Sequence, residues 1–199
     1  MNWGDRMKDL VIIGTGAMAD DVKTFVNRYK LFNIVGYACN DDFLEISKKQ
    51  MPNENVIAIS HLDDYYDKND VCLFVAISQL RYLNRDRRET FLALKKNGWK
   101  FATLISPTAK IYPGTIGEGS WIMDDVYLGN QVVVGENTII SNQAYISHYD
   151  TIGSHVYISG RALLMGTVKI GDSCFIGGNA TIFNNVTVGN KCIVGGYNC

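Results

Sequence analysis

The residues best suited to acid–base chemistry lie in the segment Ile146-Ser147-His148-Tyr149-Asp150. An imidazole exchanges protons near neutral pH, since the ordinary pKa of histidine is about 6.5, so His148 could act as a general base. Tyr149 and Asp150 follow it directly and are candidates to assist it. The alternative interpretation is a histidine that simply lies on the protein surface.

A second candidate site is the turn Gly14-Thr15-Gly16, which closes an apolar run and precedes a helical pattern. The N–H groups at the start of a helix can bind a phosphate. Asn40 and Asp41, after the next apolar run, are candidates for ribose or base contacts, with ordinary solvated loop residues as the alternative. The N-terminal half is too short for a full dinucleotide fold together with a dehydrogenase catalytic domain.

The composition describes a globular protein. The chain has 199 residues, of which 47% are hydrophobic, and only 3 prolines, so it can bury a core. Its 19 basic and 20 acidic side chains give no electrostatic reason to expect a nucleic acid or an anionic membrane as partner. The longest apolar runs, such as Val71 to Ile77, are as short as strands. We therefore expect a soluble cytoplasmic protein with no membrane span.

No metal site is expected. The five cysteines lack CxxC spacing, which favours buried free thiols over a zinc site or a disulfide: Cys39, Cys72, Cys174, Cys192 and Cys199. Some trimeric β-helix proteins are zinc hydrases, but a three-histidine site is hard to build when the C-terminal half holds only His148 and His155.

Residues 1–104 alternate short apolar runs with charged stretches of helical period. This alternation predicts a small Rossmann-like βαβ domain, with strands beginning near Leu10, Ile34, Val56 and Val71 and a further apolar run at Trp99 to Leu104. The stretch from Arg81 to Lys96 predicts a helix. Its charges predict a solvated basic face: Arg85, Arg87, Arg88, Lys95 and Lys96.

From Ile116 onward, an aliphatic residue recurs at every sixth position. The fourteen members of this series are Ile116, Ile122, Leu128, Val134, Ile140, Ile146, Ile152, Ile158, Leu164, Ile170, Ile176, Ile182, Val188 and Val194. A helix would spread such a series around its circumference, whereas a parallel β-helix with three hexapeptides per coil places it inside the prism. The series begins one residue out of phase at Ile105 and Ile111. Residues 105–199 therefore predict an all-β solenoid domain.

Residues eighteen apart stack on adjacent coils of such a solenoid, which places Gly166 directly above His148. The backbone N–H of Gly166 could then stabilise a developing oxyanion beside the base. Asp150 falls at a corner position that usually takes a small neutral residue. An acid there destabilises the fold unless it is paired, so we expect Asp150 to orient the His148 ring.

The chain resembles a known enzyme family over nearly its whole length. The first strand and turn, Leu10-Val-Ile-Ile-Gly14-Thr-Gly16, the link Phe101-Ala-Thr-Leu-Ile-Ser-Pro107 and the hexapeptide series around His148 are similar to bacterial left-handed β-helix acyltransferases that acetylate nucleotide-linked amino sugars. These enzymes are related to sialic-acid O-acetyltransferases.

The resemblance implies a homotrimer in which acetyl-CoA, as co-substrate, lies along the solenoid between subunits. It also implies that the N-terminal domain holds the nucleotide of the acceptor, that His148 is the catalytic base and that Gly166 contacts the thioester. Gly196 is a further candidate for the acetyl-CoA side. The resemblance implies a role in the synthesis of a polysaccharide, an O-antigen or a glycoprotein sugar.

Two positions depart from the family pattern. Tyr149 stands where many relatives carry an acid directly after the histidine. Tyr157 replaces the second histidine, which is linked to acetyl-CoA in the family, and His155 lies two residues earlier. We expect Tyr157 to take over a cofactor contact. These departures concern acceptor identity and leave His148 in place.

Four functions therefore compete. The first is N-acetylation of a nucleotide-linked amino sugar, and the second is O-acetylation of a sugar or sialic-acid hydroxyl, which the same histidine would serve. The third is the zinc hydrase mentioned above. The fourth is a solenoid that binds without chemistry, in which His148 could be replaced without consequence.

Overall fold

The computed structural model describes residues 8–78 and 83–196, which leaves Cys199 outside the described residues. The chain divides into two compact units, one made of Met1–Ser78 with Thr90–Ala102, and the other of Gln79–Glu89 with Thr103–Cys199. Sequence analysis assigned all of residues 1–104 to the first domain. The segment Gln79–Glu89 groups with the second unit because Arg87, described below, is buried in the solenoid.

The first unit is built around a four-stranded parallel sheet of order β3-β2-β1-β4, as the predicted Rossmann-like domain requires. Its buried strands carry continuous apolar runs because both faces of a parallel sheet are covered. The elements, in chain order and with the last helix shared between the units, are β1 Asp9–Ile13, α1 Ala17–Tyr29, β2 Asn33–Cys39, α2 Leu44–Gln50, β3 Val56–Ala58, α3 Leu62–Tyr65, β4 Val71–Val75 and α4 Arg85–Lys96.

The last apolar run of the first unit does not form a regular strand. Phe101 makes only an isolated parallel bridge to Leu73 in β4. Trp99 and Phe101 instead contribute buried rings to the core of the unit, and Phe101 packs on Phe91 with ring centroids 4.2 Å apart. The apolar run that begins at Trp99 therefore contributes buried side chains to the core of the first unit and adds no regular strand to its sheet.

The second unit is a three-sided parallel β-helix of two-residue strands. Successive strands pass from the first sheet to the second and then to the third, so that each coil contributes one strand to each sheet. The first sheet holds β5 Leu104–Ile105, β8 Trp121–Ile122, β11 Ile139–Ile140, β14 Tyr157–Ile158, β17 Phe175–Ile176 and β20 Ile193–Val194. The second holds β6 Lys110–Ile111, β9 Tyr127–Leu128, β12 Tyr145–Ile146, β15 Leu163–Leu164 and β18 Thr181–Ile182. The third holds β7 Thr115–Ile116, β10 Val133–Val134, β13 Thr151–Ile152, β16 Lys169–Ile170 and β19 Thr187–Val188.

The strand register follows the six-residue period. Ile146 pairs with Leu164, eighteen residues on, whereas Ile111 in the first coil pairs with Leu128, only seventeen residues on. The phase break seen in the sequence is thus a register difference in the first coil. The aliphatic series forms one continuous core along the prism, in which Ile146, Ile158 and Leu164 have no exposed surface.

The complete corners of the prism turn through one residue in the left-handed backbone region, such as Tyr149 with φ 60° and His155 with φ 61°, except that the corner of Thr167 has a second positive φ at Gly166. Polar side chains join the corners of successive coils. The Ser154 N–H donates to Asp172 Oδ1, and the Asp172 N–H donates to Asn190 Oδ1, each at 2.8 Å. These ladders supply acceptors for backbone N–H groups that a tight corner would otherwise leave unpaired.

The cysteines of the described residues are free thiols, and Cys39, Cys72 and Cys174 are buried. Within residues 8–78 and 83–196, none of the helices combines the length and the apolar character that crossing a bilayer would need.

Candidate active site

His148 lies at a corner of the solenoid, between β12 of the second sheet and β13 of the third. Its side chain is exposed, whereas the neighbouring Ser147 and Asp150 are buried. Tyr149 takes the left-handed position of the corner, and its ring stands edge-on to the imidazole with centroids 5.6 Å apart. The corner of residues 147–150 thus presents the imidazole to solvent.

Ser147 holds one edge of the imidazole. Its Oγ lies 3.1 Å from His148 Nδ1, within hydrogen-bonding distance. A partner on Nδ1 fixes the ring orientation and leaves Nε2 to face the reactants. Sequence reasoning did not identify Ser147, because a serine beside a histidine in a turn is a common pairing with no special signal.

Gly166 lies over the other edge of the ring. A Cβ on Gly166 would lie 3.2 Å from His148 Cε1 and 3.3 Å from Nε2. Its φ of +112° favours glycine, and among the described residues no acceptor receives a hydrogen bond from its N–H. The predicted stacking of Gly166 on His148 is therefore present, with an N–H group available to a ligand.

Asp150 does not hold the imidazole. Sequence analysis expected it to orient His148, but the side chain points into the prism with no exposed surface, and Oδ1 accepts the Val168 N–H at 2.7 Å. Burial raises the pKa of this carboxyl, against the opposing effects of backbone N–H groups and of His148. Asp150 points inward because it is the fourth residue after Ile146, and this position of the repeat faces the interior of the prism.

Of the three proposed cofactor residues, Gly166 lies beside His148, whereas Tyr157 and Gly196 do not approach it within one chain. Tyr157 lies in β14 of the first sheet, which forms the side of the prism opposite the corner between the second and third sheets. Its ring stacks on Phe175 with centroids 5.7 Å apart. Gly196 follows β20 at a corner between the first and second sheets. Contacts of Tyr157 and Gly196 with acetyl-CoA remain predictions that would need a second copy of the chain.

His155 belongs to a buried polar cluster and not to the candidate site. Its Nδ1 lies 3.0 Å from Asn137 Nδ2, and its pKa is lowered to about 4 by burial, with Arg87 and Arg88 contributing. Across residues 8–78 and 83–196, no group of three or more His, Cys, Asp or Glu side chains is placed to hold a metal ion.

Arg87 is the centre of that cluster, and this corrects the expectation of a solvated basic face. Its guanidinium is 1% exposed and donates to the carbonyl oxygens of Asn137, His155 and Val156. Burial lowers the pKa of Arg87 to about 10. A run of basic residues in a helix does not reveal which one is buried, because backbone carbonyls, rather than an acidic side chain, receive its hydrogen bonds.

The candidate nucleotide residues gather at one edge of the first unit. Gly14, Thr15 and Gly16 connect β1 to α1, and Asn40 and Asp41 follow β2, so all five lie at the carboxyl ends of adjacent parallel strands. Ligands of open α/β sheets bind at this edge.

Two of these side chains already have protein partners. The Thr15 hydroxyl lies 2.7 Å from Ser47 Oγ, and Ser60 Oγ donates to Asp41 Oδ2 at 2.7 Å. Backbone N–H groups at the start of α1 and the exposed Asn40 are then the groups best placed to bind a ligand.

Part of the solenoid matches a known family in sequence. Residues 113–148 match the family model described as bacterial transferase hexapeptide (six repeats). No curated protein matches the chain in sequence.

Several solved structures superpose on almost the whole chain. PerB from Caulobacter crescentus, in complex with CoA and GDP-perosamine, is 24% identical with a TM-score of 0.78, over 94% of this chain and 86% of that one. The acetyltransferase domain of PglB from Neisseria gonorrhoeae, in complex with acetyl coenzyme A, is 23% identical with a TM-score of 0.71, over 95% and 93%. WeeI from Acinetobacter baumannii is 22% identical with a TM-score of 0.75, over 95% and 89%.

At these identities the likeness shows the fold. The chain has a small Rossmann-like unit followed by a left-handed hexapeptide β-helix, as its sequence predicts.

Proposed function

We propose that this protein is an acetyl-CoA-dependent N-acetyltransferase of a nucleotide-linked amino sugar. The observation that carries the proposal is the placement of Gly166 over His148, with Ser147 on the opposite edge of the ring. A general base, a fixed orientation and an available N–H donor are thereby collected at one exposed corner. Acetyl transfer between an amine and a thioester needs these three elements.

In this proposal His148 Nε2 accepts the proton that the amine of the acceptor loses as its nitrogen forms a bond to the acetyl carbon. Ser147 Oγ keeps the ring oriented while the imidazole gains this proton, because it occupies Nδ1. The imidazolium then returns the proton to the departing sulfur. The proton therefore moves from nitrogen to sulfur through one residue, with no net change in the protein.

Gly166 would supply the electrostatic part. Acetyl-CoA, when bound, provides the thioester whose carbonyl oxygen gains negative charge during attack. The residues present fit that group, because Gly166 has no side chain to cover His148 and its N–H has no acceptor among the described residues. An N–H donor in such a position is worth about two to three orders of magnitude in rate.

The first unit would bind the nucleotide of the acceptor through the Gly14-Thr15-Gly16 turn, with Asn40 nearby. GDP-perosamine, bound to PerB in its solved structure, is an acceptor of this chemical class. We propose the class and not the individual sugar for this chain. An enzyme that uses acetyl-CoA and a nucleotide sugar would work in the cytoplasm.

The proposal includes a homotrimer, without which Tyr157 and Gly196 could not approach His148. Exposed apolar side chains along one side of the solenoid support association: Tyr145, in β12 of the second sheet, is 43% exposed, and Met165 and Phe183, directly after β15 and β18, are 42% and 64% exposed. Size-exclusion chromatography with light scattering tests this part, and a monomer at working concentration would contradict it.

The activity is tested by release of CoA thiol from acetyl-CoA in the presence of UDP-, dTDP- or GDP-linked amino sugars. We expect release with at least one acceptor and a loss of about a thousandfold in kcat for His148→Ala. The matched control is His61→Ala, which removes an exposed histidine of the first unit and should leave kcat unchanged.

Two outcomes would contradict the proposal. Thiol release with a sugar hydroxyl but with no amine would identify an O-acetyltransferase. Equal activity of wild type and His148→Ala would remove the histidine from the mechanism.

A further inference from the structure

The fourth residue after each aliphatic, called the inner-corner position, faces the interior of the prism, and three of its polar members share one hydrogen-bonding pattern. Ser120, Thr138 and Cys174 each accept the backbone N–H of the residue eighteen positions on. Each also donates its hydroxyl or thiol proton to the carbonyl oxygen fifteen positions on, which belongs to Gly135, Gly153 or Gly189. One side-chain atom therefore pairs two backbone groups of the next coil.

Asp150 occupies the same inner-corner position and satisfies half of this pattern. Its Oδ1 accepts the Val168 N–H, eighteen residues on, at 2.7 Å. Its Oδ2 is buried and makes no hydrogen bond. The Ser147 N–H is close enough to favour the charged form of this carboxyl, but it donates to the Leu164 carbonyl oxygen at 3.1 Å. By register, the carbonyl fifteen residues on belongs to Met165, and it corresponds to the glycine carbonyls that receive the protons of Ser120, Thr138 and Cys174.

We propose that Asp150 is a neutral carboxylic acid at neutral pH, which accepts the Val168 N–H through Oδ1 and donates an Oδ2 proton to the Met165 carbonyl. A carboxylic acid has one acceptor and one donor, as a hydroxyl does, whereas a carboxylate can only accept. A buried carboxylate oxygen with no donor would be costly, and protonation removes that cost. Burial raises the pKa of the Asp150 carboxyl, whereas the backbone N–H groups of Val168 and Ser147 and the side chain of His148 lower it. The Met165 carbonyl would add a hydrogen bond that only the protonated form can make.

The placement makes Asp150 a positioning residue for the reaction, a part of the inference that rests on the proposed function. Met165 and Val168 flank Gly166, the residue proposed to stabilise the oxyanion. The corner of Gly166 differs from its neighbours, since Gly166 itself has a φ of +112° in addition to the left-handed Thr167. Asp150 would hydrogen-bond to Met165 on one side of Gly166 and to Val168 on the other. These two bonds would fix the distance between the Gly166 N–H and His148.

The test compares Asp150→Asn with Asp150→Ala in the full chain. Asparagine reproduces the acceptor and the donor of a neutral acid, so Asp150→Asn should keep kcat within about threefold of wild type and leave the unfolding midpoint unchanged or higher. Asp150→Ala leaves both backbone groups unpaired, so it should lower the midpoint and reduce kcat by about tenfold or more. Asp172→Asn is the matched control, because Asp172 is exposed and accepts one backbone N–H in a corner ladder.

A direct readout separates this inference from the proposed activity. The infrared difference spectrum between wild type and Asp150→Asn at pH 7 should contain the C=O band of a protonated carboxylic acid. The spectrum for Asp172→Asn, which alters an exposed aspartate, is the reference. A carboxylate signal for Asp150 would overturn the inference, whether or not acetyl transfer is observed. So would a loss of kcat in Asp150→Asn as large as in His148→Ala, which would indicate an ionised partner of the imidazole.

Discussion

Gly166 and His148 lie side by side on adjacent coils, so close that a methyl group on the Gly166 α-carbon would crowd the imidazole. A methyl group there would come within 3.2 Å of His148 Cε1 and 3.3 Å of Nε2. Few observed Cβ contacts are this close, and the neighbour that would have to move is the proposed base. The distance between base and N–H donor is thus set by the solenoid register, since the two residues are eighteen apart.

Gly166→Ala should reduce kcat by about a hundredfold, because the methyl group displaces the imidazole and the φ of +112° is unfavourable for alanine. Steady-state thiol-release kinetics measure the effect. Gly178→Ala is the control, since Gly178 holds the same place in its repeat and a Cβ there would come no closer than 3.5 Å to Gly160 O. Equal kcat values for the two variants would show that the Gly166 corner takes no part in the reaction.

Ser147→Ala should lower kcat by about tenfold with little change in KM, because the imidazole loses its partner on Nδ1 but substrate contacts are untouched. The pH dependence of kcat distinguishes this role from a structural one. Loss of the hydroxyl should shift the low-pH limb, where protonation of the general base removes activity, whereas a merely weakened fold would scale the whole profile. Ser159→Ala, at the equivalent place of a later repeat, should leave both rate and profile unchanged.

The period of six predicts the strands of the solenoid and its buried series, because the interior of a prism admits only aliphatic side chains at one position in six. Ile146 and Leu164 are therefore found where the pattern puts them. The same register predicts the contact of Gly166 with His148. The six-residue period determines where each residue lies along the solenoid backbone. Strands, buried aliphatics and contacts between residues eighteen apart can therefore be predicted from the sequence.

Side-chain partners are not set by that period. Asp150 and Arg87 were each assigned a role by residue type, and the structure corrects both because both side chains are buried. Ser147 was assigned no role. Arg87 is buried because three carbonyls of the solenoid corners can accept its protons. Backbone acceptors have no sequence signature, so such a site could not have been recognised before the structure.

The protonation of His155 should make the fold sensitive to acid. Its pKa is lowered in the folded state from 6.5 to about 4, so the unfolded chain binds a proton more readily within this window. The stabilising contribution is complete above pH 6.5 and is lost progressively as the pH falls towards 4. His155→Asn removes this dependence, and asparagine also tolerates the left-handed backbone at this position.

Urea unfolding of wild type and His155→Asn at several pH values measures this contribution as the difference between the two free energies of unfolding. As the pH falls below 6.5, the free energy of unfolding should decrease more for wild type than for His155→Asn. His61→Asn, which alters an exposed histidine of the first unit, is the matched control. A constant difference across the whole range would mean that His155 titrates normally in the folded protein.

Gly14 and Gly16 flank the same turn but should respond oppositely to alanine. A Cβ on Gly14 would come 2.5 Å from the Ala76 carbonyl oxygen, and its φ of +125° is unfavourable for any other residue, so Gly14→Ala should destabilise the fold by about 3 kcal/mol. Gly16 has a φ of −94°, and no atom lies within 4 Å of the place that a methyl group on it would occupy, so Gly16→Ala should change the free energy of unfolding by less than about 0.5 kcal/mol. Denaturant unfolding of both variants tests the contrast.

Because Gly16→Ala should leave the fold intact, it also reports on ligand binding at the start of α1. If the backbone N–H groups there bind the phosphates of the acceptor, a methyl group beside them should raise KM for the nucleotide sugar and leave KM for acetyl-CoA unchanged. A stable Gly16→Ala protein with unchanged KM for both substrates would place the nucleotide elsewhere on the first unit. An equal loss of stability in the two variants would instead show that the turn tolerates no side chain at either glycine.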